Sequence, residues 1–204
     1  MKKAVLFIVL PMTCCGLAAC SFQNNDSTKD IYMKFLDGDM SVLEESQREN
    51  WFIPDFTGDD EKYEYTFSDL DGDGEDELIV QMYDDPGAYS AIFNMKNNKI
   101  VCWSSDSVEM NCFDYPLNNG LMVNEYDYGG AVSYLIYNFT KDGKQQIISE
   151  LFIRESLDFE DDTRKCPEYT IDGEEVEKDI FEQERKEKIL DHVLKRSSWI
   201  VIGG

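Results

Sequence analysis

The alternation of apolar and polar positions divides the chain into a helical start, a long strand-rich middle and a helical end. Ser27 and Asp30 have the spacing of a capping box. The apolar residues that follow recur at helical spacing and are Ile31, Tyr32, Phe35 and Leu36. Because Gly38 is placed to end a helix, we predict a short amphipathic N-terminal helix there. Ser41 and Glu44 repeat the cap spacing and predict a second helical turn that runs to about Arg48.

From Tyr63 onward the period of the pattern changes to that of strands. The segments YEYTF, ELIVQMY, YSAIFNM, KIVCW, VSYLIYNF and KQQIISELFI are apolar or alternating. Asn97 and Asn98 separate two of these segments, and Asp142 and Gly143 separate two others, which is hairpin chemistry. Successive strands joined by tight turns predict an antiparallel β-meander.

Helical periodicity returns near the end of the chain. Asp172 and Gly173 form a turn signal, and a broken apolar stripe follows it. The stripe consists of Val176, Ile180, Phe181, Ile189, Leu190, Val193 and Leu194. We expect a C-terminal helix packed on the sheet, whereas the final residues WIVIGG suit either a last strand or a frayed tail.

The segment FSDLDGDGEDELIV places six carboxylates and two glycines between apolar runs. Counted from Asp69, carboxylates occupy positions one, three, five and nine, and a glycine occupies position six. Those residues are Asp69, Asp71, Asp73, Glu77 and Gly74. A hard cation with six to eight oxygen ligands requires such convergence, and the backbone carbonyl of Glu75 at position seven can face the same point. The spacing predicts a calcium (Ca2+) loop, and a solvated acidic turn is the alternative.

An EF-hand does not explain this loop. Asp76 occupies position eight, where an EF-hand has an apolar residue, and Val80 occupies position twelve, where it has a bidentate Glu. The segment DLDGDGEDELIV instead resembles the calcium loop of integrin-alpha FG-GAP (VCBS) repeats, D-x-[DN]-x-D-G-x-x-D followed by an apolar strand. The resemblance implies that Asp69, Asp71, Asp73 and Glu77 supply side-chain oxygens and that Glu75 supplies its carbonyl. Taken together, the elements predict an α+β fold with one calcium-loop hairpin.

The N-terminus has the layout of a secretory signal. Lys2 and Lys3 precede an apolar run that Pro11 and Gly16 interrupt, and the run is too short for a membrane-spanning helix. The tetrapeptide LAAC resembles a bacterial lipobox, which implies cleavage before Cys20 and a lipid anchor on that cysteine.

These features divide the chain into a signal peptide (1–19), a polar tether (20–29) and a single α+β domain (30–204). The layout also resembles uncharacterised surface lipoproteins of Gram-positive bacteria. The resemblance implies export to the extracellular face of the cell membrane, with anchoring through lipid as the contact with the membrane.

The chain carries 19 Lys and Arg against 42 Asp and Glu, a formal net charge of −23. Such a surface repels nucleic acid and anionic lipid, so neither is an expected partner. Hydrophobic residues make up 42% of the chain, which is enough for one core. After signal removal and lipidation, Cys102, Cys112 and Cys166 remain, an odd number. Cys102 and Cys112 flank a predicted turn, and either a disulfide or two thiols fits the sequence.

No catalytic set stands out among the residues. The single histidine, His192, pairs with a cysteine nucleophile only if the fold brings them together. Tyrosines at and after the segment YDYGG (126–130), including Tyr134 and Tyr137, suit either a glycan platform or cross-strand packing. We therefore predict a non-enzymatic, calcium-stabilised binding or structural module with an unknown extracellular ligand, glycan or protein. The alternatives are a glycan- or cell-wall-directed hydrolase or its accessory, and a calcium sensor.

Overall fold

The computed structural model describes residues 24–58, 60–106, 112–154 and 168–203, with the backbone alone for residues 24–26. The predicted signal peptide, Cys20 and Cys166 lie outside these residues. The described residues form three α-helices and eleven β-strands. The helices are α1 (Asn24–Leu36), α2 (Gln47–Asn50) and α3 (Lys178–Arg185). The strands are β1 (Tyr63–Ser68), β2 (Glu77–Met82), β3 (Ser90–Lys96), β4 (Lys99–Asp106), β5 (Cys112–Pro116), β6 (Met122–Asp127), β7 (Ala131–Phe139), β8 (Gln145–Arg154), β9 (Glu168–Ile171), β10 (Glu174–Glu175) and β11 (Ile200–Val201).

The strands form two antiparallel sheets, where the sequence analysis described one meander. The first sheet has the order β11-β1-β2-β3-β4, and the second has the order β10-β9-β8-β7-β6-β5. Each sheet is a meander of consecutive strands, and β11 adds one strand from the end of the chain. The α+β class is therefore confirmed, and WIVIGG contributes a strand.

The predicted hairpins occur where the turn residues stand. Asn97 and Asn98 join β3 to β4 with φ of 52° and 59°, the left-handed pair that a two-residue hairpin turn requires. Asp172 was predicted only to turn the chain before the C-terminal helix; it also has a left-handed conformation, with φ of 53°, and joins β9 to β10 in a hairpin that was not predicted. The segment 140–144 joins β7 to β8, as the Asp-Gly signal predicted.

Helix α1 packs its apolar stripe on one face of the first sheet. Tyr32, Phe35 and Leu36 are all at most 1% exposed, and the Phe35 ring contacts the Phe93 ring edge-on at 4.9 Å between centroids. The helix begins at Asn24, so residues 24–29, assigned to the tether, are helical. Asn and Asp are poor helix formers, so the turn before Ser27 is an extension of the helix that the packed apolar stripe already nucleates.

Helix α3 covers one face of the second sheet. Phe181 of α3 and Ile189 of the following turn are fully buried against Leu117, Val123 and Leu151. The α-helix ends at Arg185 and continues as a π-helical turn from Lys186 to Leu190. The C-terminal helix is thus confirmed, although it is shorter than its apolar stripe.

The two sheets meet through a third apolar cluster. Leu70, Ile79 and Ile92 come from the first half of the chain, and Met122, Tyr137 and Phe139 come from the second. One backbone hydrogen bond joins the halves here, because the Phe139 amide donates to the Leu70 carbonyl at 3.1 Å. Successive side chains of β2 point to opposite faces of the first sheet. Leu78 and Val80 therefore pack under α1, whereas Ile79 packs against the second sheet.

A glycine in the β5–β6 turn allows the loop after β1 to approach the second sheet. Gly120 has φ of 79°, and a Cβ atom there would lie 2.7 Å from the Asp69 carbonyl oxygen. Gly129 has a similar φ of 75°, with no atom within 4 Å of its Cβ position. Substituting Gly129 therefore tests backbone strain alone, whereas substituting Gly120 tests the same strain together with the close approach of Asp69.

We expect Gly129→Ala to cost about 1 kcal/mol of unfolding free energy, the strain of a left-handed alanine. Gly120→Ala should cost about 2 kcal/mol more, because the Asp69 backbone must also move away. Urea denaturation of both variants measures the difference. Equal losses would show that the contact between Asp69 and Gly120 does not hold the loop on the second sheet.

Candidate metal centre

The carboxylate of Asp69 organises the loop between β1 and β2. It accepts hydrogen bonds from the amides of Gly72 at 2.8 Å, Asp73 at 3.1 Å and Gly74 at 3.0 Å. Gly72 and Gly74 have φ of 73° and 91°, which is the conformation that lets the backbone turn around one side chain. The sequence pattern of Asp and Gly therefore produces a compact loop whose amides point inward.

Three of the predicted ligands converge on one point. Carboxylate oxygens of Asp69, Asp71 and Glu77 all lie within 4.8 Å of one another. The Asp73 carboxylate is not in this group and accepts from the amide of Glu75 at 2.8 Å. Glu75 was predicted to offer its backbone carbonyl, so its side chain is not required in the group.

Glu77 is a fully buried carboxylate at the first position of β2. Its Oε2 accepts from the Leu70 amide at 2.7 Å, and its Oε1 accepts from the Asn94 side-chain amide at 2.7 Å. Burial raises the pKa of Glu77 to about 7 in spite of these two donors, and the nearby Asp71 and Asp73 carboxylates raise it further. Asn94 lies 17 residues from Glu77 and meets it only because β2 pairs with β3, so no local sequence pattern indicates this contact.

The donor set fits a hard divalent cation. All three convergent groups are carboxylates, which are the ligands that calcium prefers. Burial also raises the pKa of Asp71, and the neighbouring Asp73 and Asp69 carboxylates add to the shift. A cation at this point would lower these pKa values, because it favours the ionised forms.

Part of the loop faces an open cleft of about 450 Å³. Asp71, Asp73 and Glu75 are among its lining residues, together with Trp51 and Trp103. The turn between β7 and β8 contributes further lining residues, so both halves of the chain form the cleft. Glu77 is not among the lining residues, and its carboxylate lies beneath the loop.

Among the residues that the structure describes, the cysteine and histidine candidates do not come together, and Cys166 lies outside those residues. Cys102 lies on β4 of the first sheet and Cys112 on β5 of the second, so they do not face each other across a hairpin. Burial raises the pKa of the Cys102 thiol to about 12, and the thiol donates to the Ser104 carbonyl at 3.2 Å. His192 lies 2.8 Å from the Asn118 side-chain oxygen through Nδ1. The thiol and imidazole therefore have separate partners and form no nucleophilic pair.

The tyrosines considered as a glycan platform divide between core and surface. Tyr134 and Tyr137 are 4% and 3% exposed and belong to the two apolar clusters of the second sheet. Tyr128 is 60% exposed, and its ring stands edge-on to that of Tyr126 at 4.1 Å between centroids. Packing therefore explains Tyr134 and Tyr137, and no continuous platform runs through all four.

Comparison with known proteins adds no family to this geometry. No protein-family model, curated protein or solved structure matches the chain. Among the residues that the structure describes, no helix has the length and apolar character needed to cross a membrane. Any function must therefore be argued from the loop and its surroundings.

The raised pKa of Glu77 predicts a pH dependence of stability in the metal-free protein. The folded chain keeps the proton up to about pH 7, whereas the unfolded chain releases it near the ordinary value of 4.5. Stability should therefore fall as pH rises from about 4.5 to about 7, by on the order of 2 kcal/mol.

Glu77→Gln removes this titration while keeping the size of the side chain. Urea denaturation of both proteins in EDTA, between pH 4.5 and pH 8, measures the difference in slope. The variant should lose less stability than the wild type across that interval. Parallel curves would show that the buried Glu77 is ionised throughout.

Proposed function

We propose that this protein is a non-enzymatic, lipid-anchored surface module whose calcium loop stabilises the contact between its two sheets. The observation that carries the proposal is the position of Leu70. It donates its amide to Glu77, accepts from the Phe139 amide, and buries its side chain in the cluster that the sheets share. An ion bound by Asp69 and Glu77 would hold the residue before Leu70 and the carboxylate that accepts from the Leu70 amide.

A structural role for the ion follows from this placement. Asp69 and Glu77 are the first and last ligands of the loop, and Leu70 follows Asp69 directly. Fixing the two carboxylates fixes the Leu70 backbone between them, which preserves the hydrogen bond to Phe139. Without an ion the Asp69 and Asp71 carboxylates repel each other, Glu77 adds to this repulsion once it loses its proton near pH 7, and the repulsion works against the same geometry.

The predicted location supplies the ion. The lipobox resemblance at Cys20 implies export of the domain, and extracellular calcium modules bind with Kd near 10⁻⁴ to 10⁻³ M. At about millimolar calcium and a Kd ten times lower, binding adds about 1.4 kcal/mol to the free energy of unfolding. The acidic surface suits a soluble, membrane-tethered domain in this medium.

The hydrolase alternative would need an accessible carboxylate of raised pKa. Glu77 has the raised pKa, but its side chain is fully buried and both oxygens accept hydrogen bonds. Asp71 reaches the cleft and also has a raised pKa, and its neighbours there are the ligands of the proposed ion. These positions favour a metal role over acid–base chemistry.

A calcium titration of residues 20–204, followed by thermal melting, tests the metal role. We expect one site and a rise in melting temperature of about 4 °C at millimolar calcium, because binding stabilises only the folded state. Asp71→Ala should abolish the rise, because it removes a ligand oxygen that Asn at the same position would keep. The control Asp84→Ala removes an exposed carboxylate in the β2–β3 loop and should keep the rise. A rise that survives in Asp71→Ala would place the ion elsewhere.

Membrane fractionation of the full chain in a Gram-positive host tests the anchor. Cys20→Ser removes the sulfur that the proposal lipidates, so the protein should move from the membrane to the soluble fraction, because the lipid chains supply the anchor. Ser21→Ala is the matched control and should stay with the membrane. Membrane retention of Cys20→Ser to the wild-type level would contradict lipidation at this residue.

A further inference from the structure

A groove lies at the β5 edge of the second sheet, and none of its lining residues belongs to the predicted calcium loop. The groove, of about 260 Å³, is formed where β5 meets the β2–β3 loop and the C-terminal segment. Its walls include the aromatic side chains of Phe113, Tyr115 and Trp199, and Glu125 of β6 also lines it. The remaining walls are mostly apolar, with Val193 and Leu194 on one side.

The charge of this groove comes from a single carboxylate. Among the described lining residues, Glu125 is the one acid, and none is basic. Tyr115 stays protonated, because burial and the nearby Glu125 raise its pKa, and its hydroxyl donates to Glu125 Oε2 at 3.1 Å. This bond holds the carboxylate in place and leaves Oε1 for another group.

The neighbouring cation Arg185 does not fill this role. Its guanidinium stands 4.9 Å from the Tyr134 ring centroid and lies 3.7 Å from Glu182 through Nη1. It shares the α3 face of the sheet with Tyr115, and its charge opposes the rise in the Tyr115 pKa that burial and Glu125 cause. Arg185 does not line the groove, so Glu125 is the charged side chain among the described lining residues, within a chain of net charge −23.

Aromatic rings beside one carboxylate recognise a particular kind of cation. Ring faces carry negative potential and attract weakly hydrated organic cations, whereas a hard metal ion needs six or more oxygen ligands. With apolar walls and one carboxylate, the groove cannot supply those oxygens. A phosphate group would also lack a partner, because no Lys or Arg lines the groove.

We propose that this groove binds a small, soluble quaternary ammonium compound, with the ammonium group against the aromatic side chains and its charge matched by Glu125. The volume suits a compound of choline size better than a drug-sized ligand. The site is independent of the calcium loop, so calcium-free protein should bind the ligand equally well.

The indole N–H signals of the three tryptophans in NMR spectra test the proposal. Trp199 lines this groove, whereas Trp51 and Trp103 line the cleft beside the calcium loop and are internal controls. Trp199→Phe identifies its signal. Choline should shift the Trp199 signal alone, whereas shifts confined to Trp51 or Trp103, or no shift at 50-fold molar excess and about millimolar ligand, would overturn the proposal.

Two matched ligands test the chemistry of recognition. The neutral isostere 3,3-dimethylbutan-1-ol should bind about tenfold more weakly than choline, because it lacks the charge that the rings and Glu125 attract. Phosphocholine should also bind more weakly, because its phosphate faces a groove without basic residues. Equal affinity for the isostere would show an apolar site only, and tighter binding of phosphocholine would show a headgroup site; either result overturns the proposal.

Glu125→Gln removes the charge while its amide oxygen can still accept from Tyr115. We expect this variant to lose about tenfold in choline affinity and to bind the neutral isostere as before. Glu174→Gln removes an exposed charge from β10 of the same sheet, outside the groove, and should bind choline like the wild type. Equal loss in both variants would assign the effect to net charge and overturn a specific role for Glu125.

Discussion

The structure depends on how a buried carboxylate, Glu77, is satisfied. Its two oxygens accept from Leu70 in the loop and from Asn94 on β3, so one side chain joins the loop to the first sheet. Leu70 in turn contacts the second sheet through Phe139. Because a buried charge is costly unless it is paired, the environment raises the pKa of Glu77 to about 7, and a cation is the partner that would offset this cost.

The loop matters because of its position in the layers. Helix α1 covers one sheet, α3 covers the other, and the cluster of Ile79, Ile92, Met122, Tyr137 and Phe139 lies between the sheets. Each helix stabilises only its own sheet, whereas the loop reaches both. Gly120, opposite the Asp69 carbonyl, is the second point of contact. An ion at the loop would therefore act on the junction of the two sheets.

Local chemistry made much of this architecture predictable. The Asn97-Asn98 turn adopts the left-handed conformation that its residue types favour, so this hairpin followed from sequence, whereas Asp172-Gly173 indicated a turn and not the β9–β10 hairpin that it forms. The division into two sheets was not predictable from the sequence. β2 is buried on both faces, and a continuous apolar run of this kind does not indicate whether a helix or a second sheet covers each face. Asn94 and Gly120 were missed because each meets the loop only through long-range pairing. The spacing of Asp69, Asp71 and Glu77 did predict their convergence, since a local loop brings them together.

Hydrogen exchange of two amides tests the central claim most directly. The Leu70 amide reports the hydrogen bond from the loop to Glu77. The Phe139 amide reports the hydrogen bond from the second sheet to the Leu70 carbonyl in the loop. If calcium stabilises the junction, millimolar calcium should slow exchange of both amides by about tenfold, the factor that corresponds to 1.4 kcal/mol. Slower exchange at Leu70 with no change at Phe139 would show that the ion orders the loop alone, and would contradict the account.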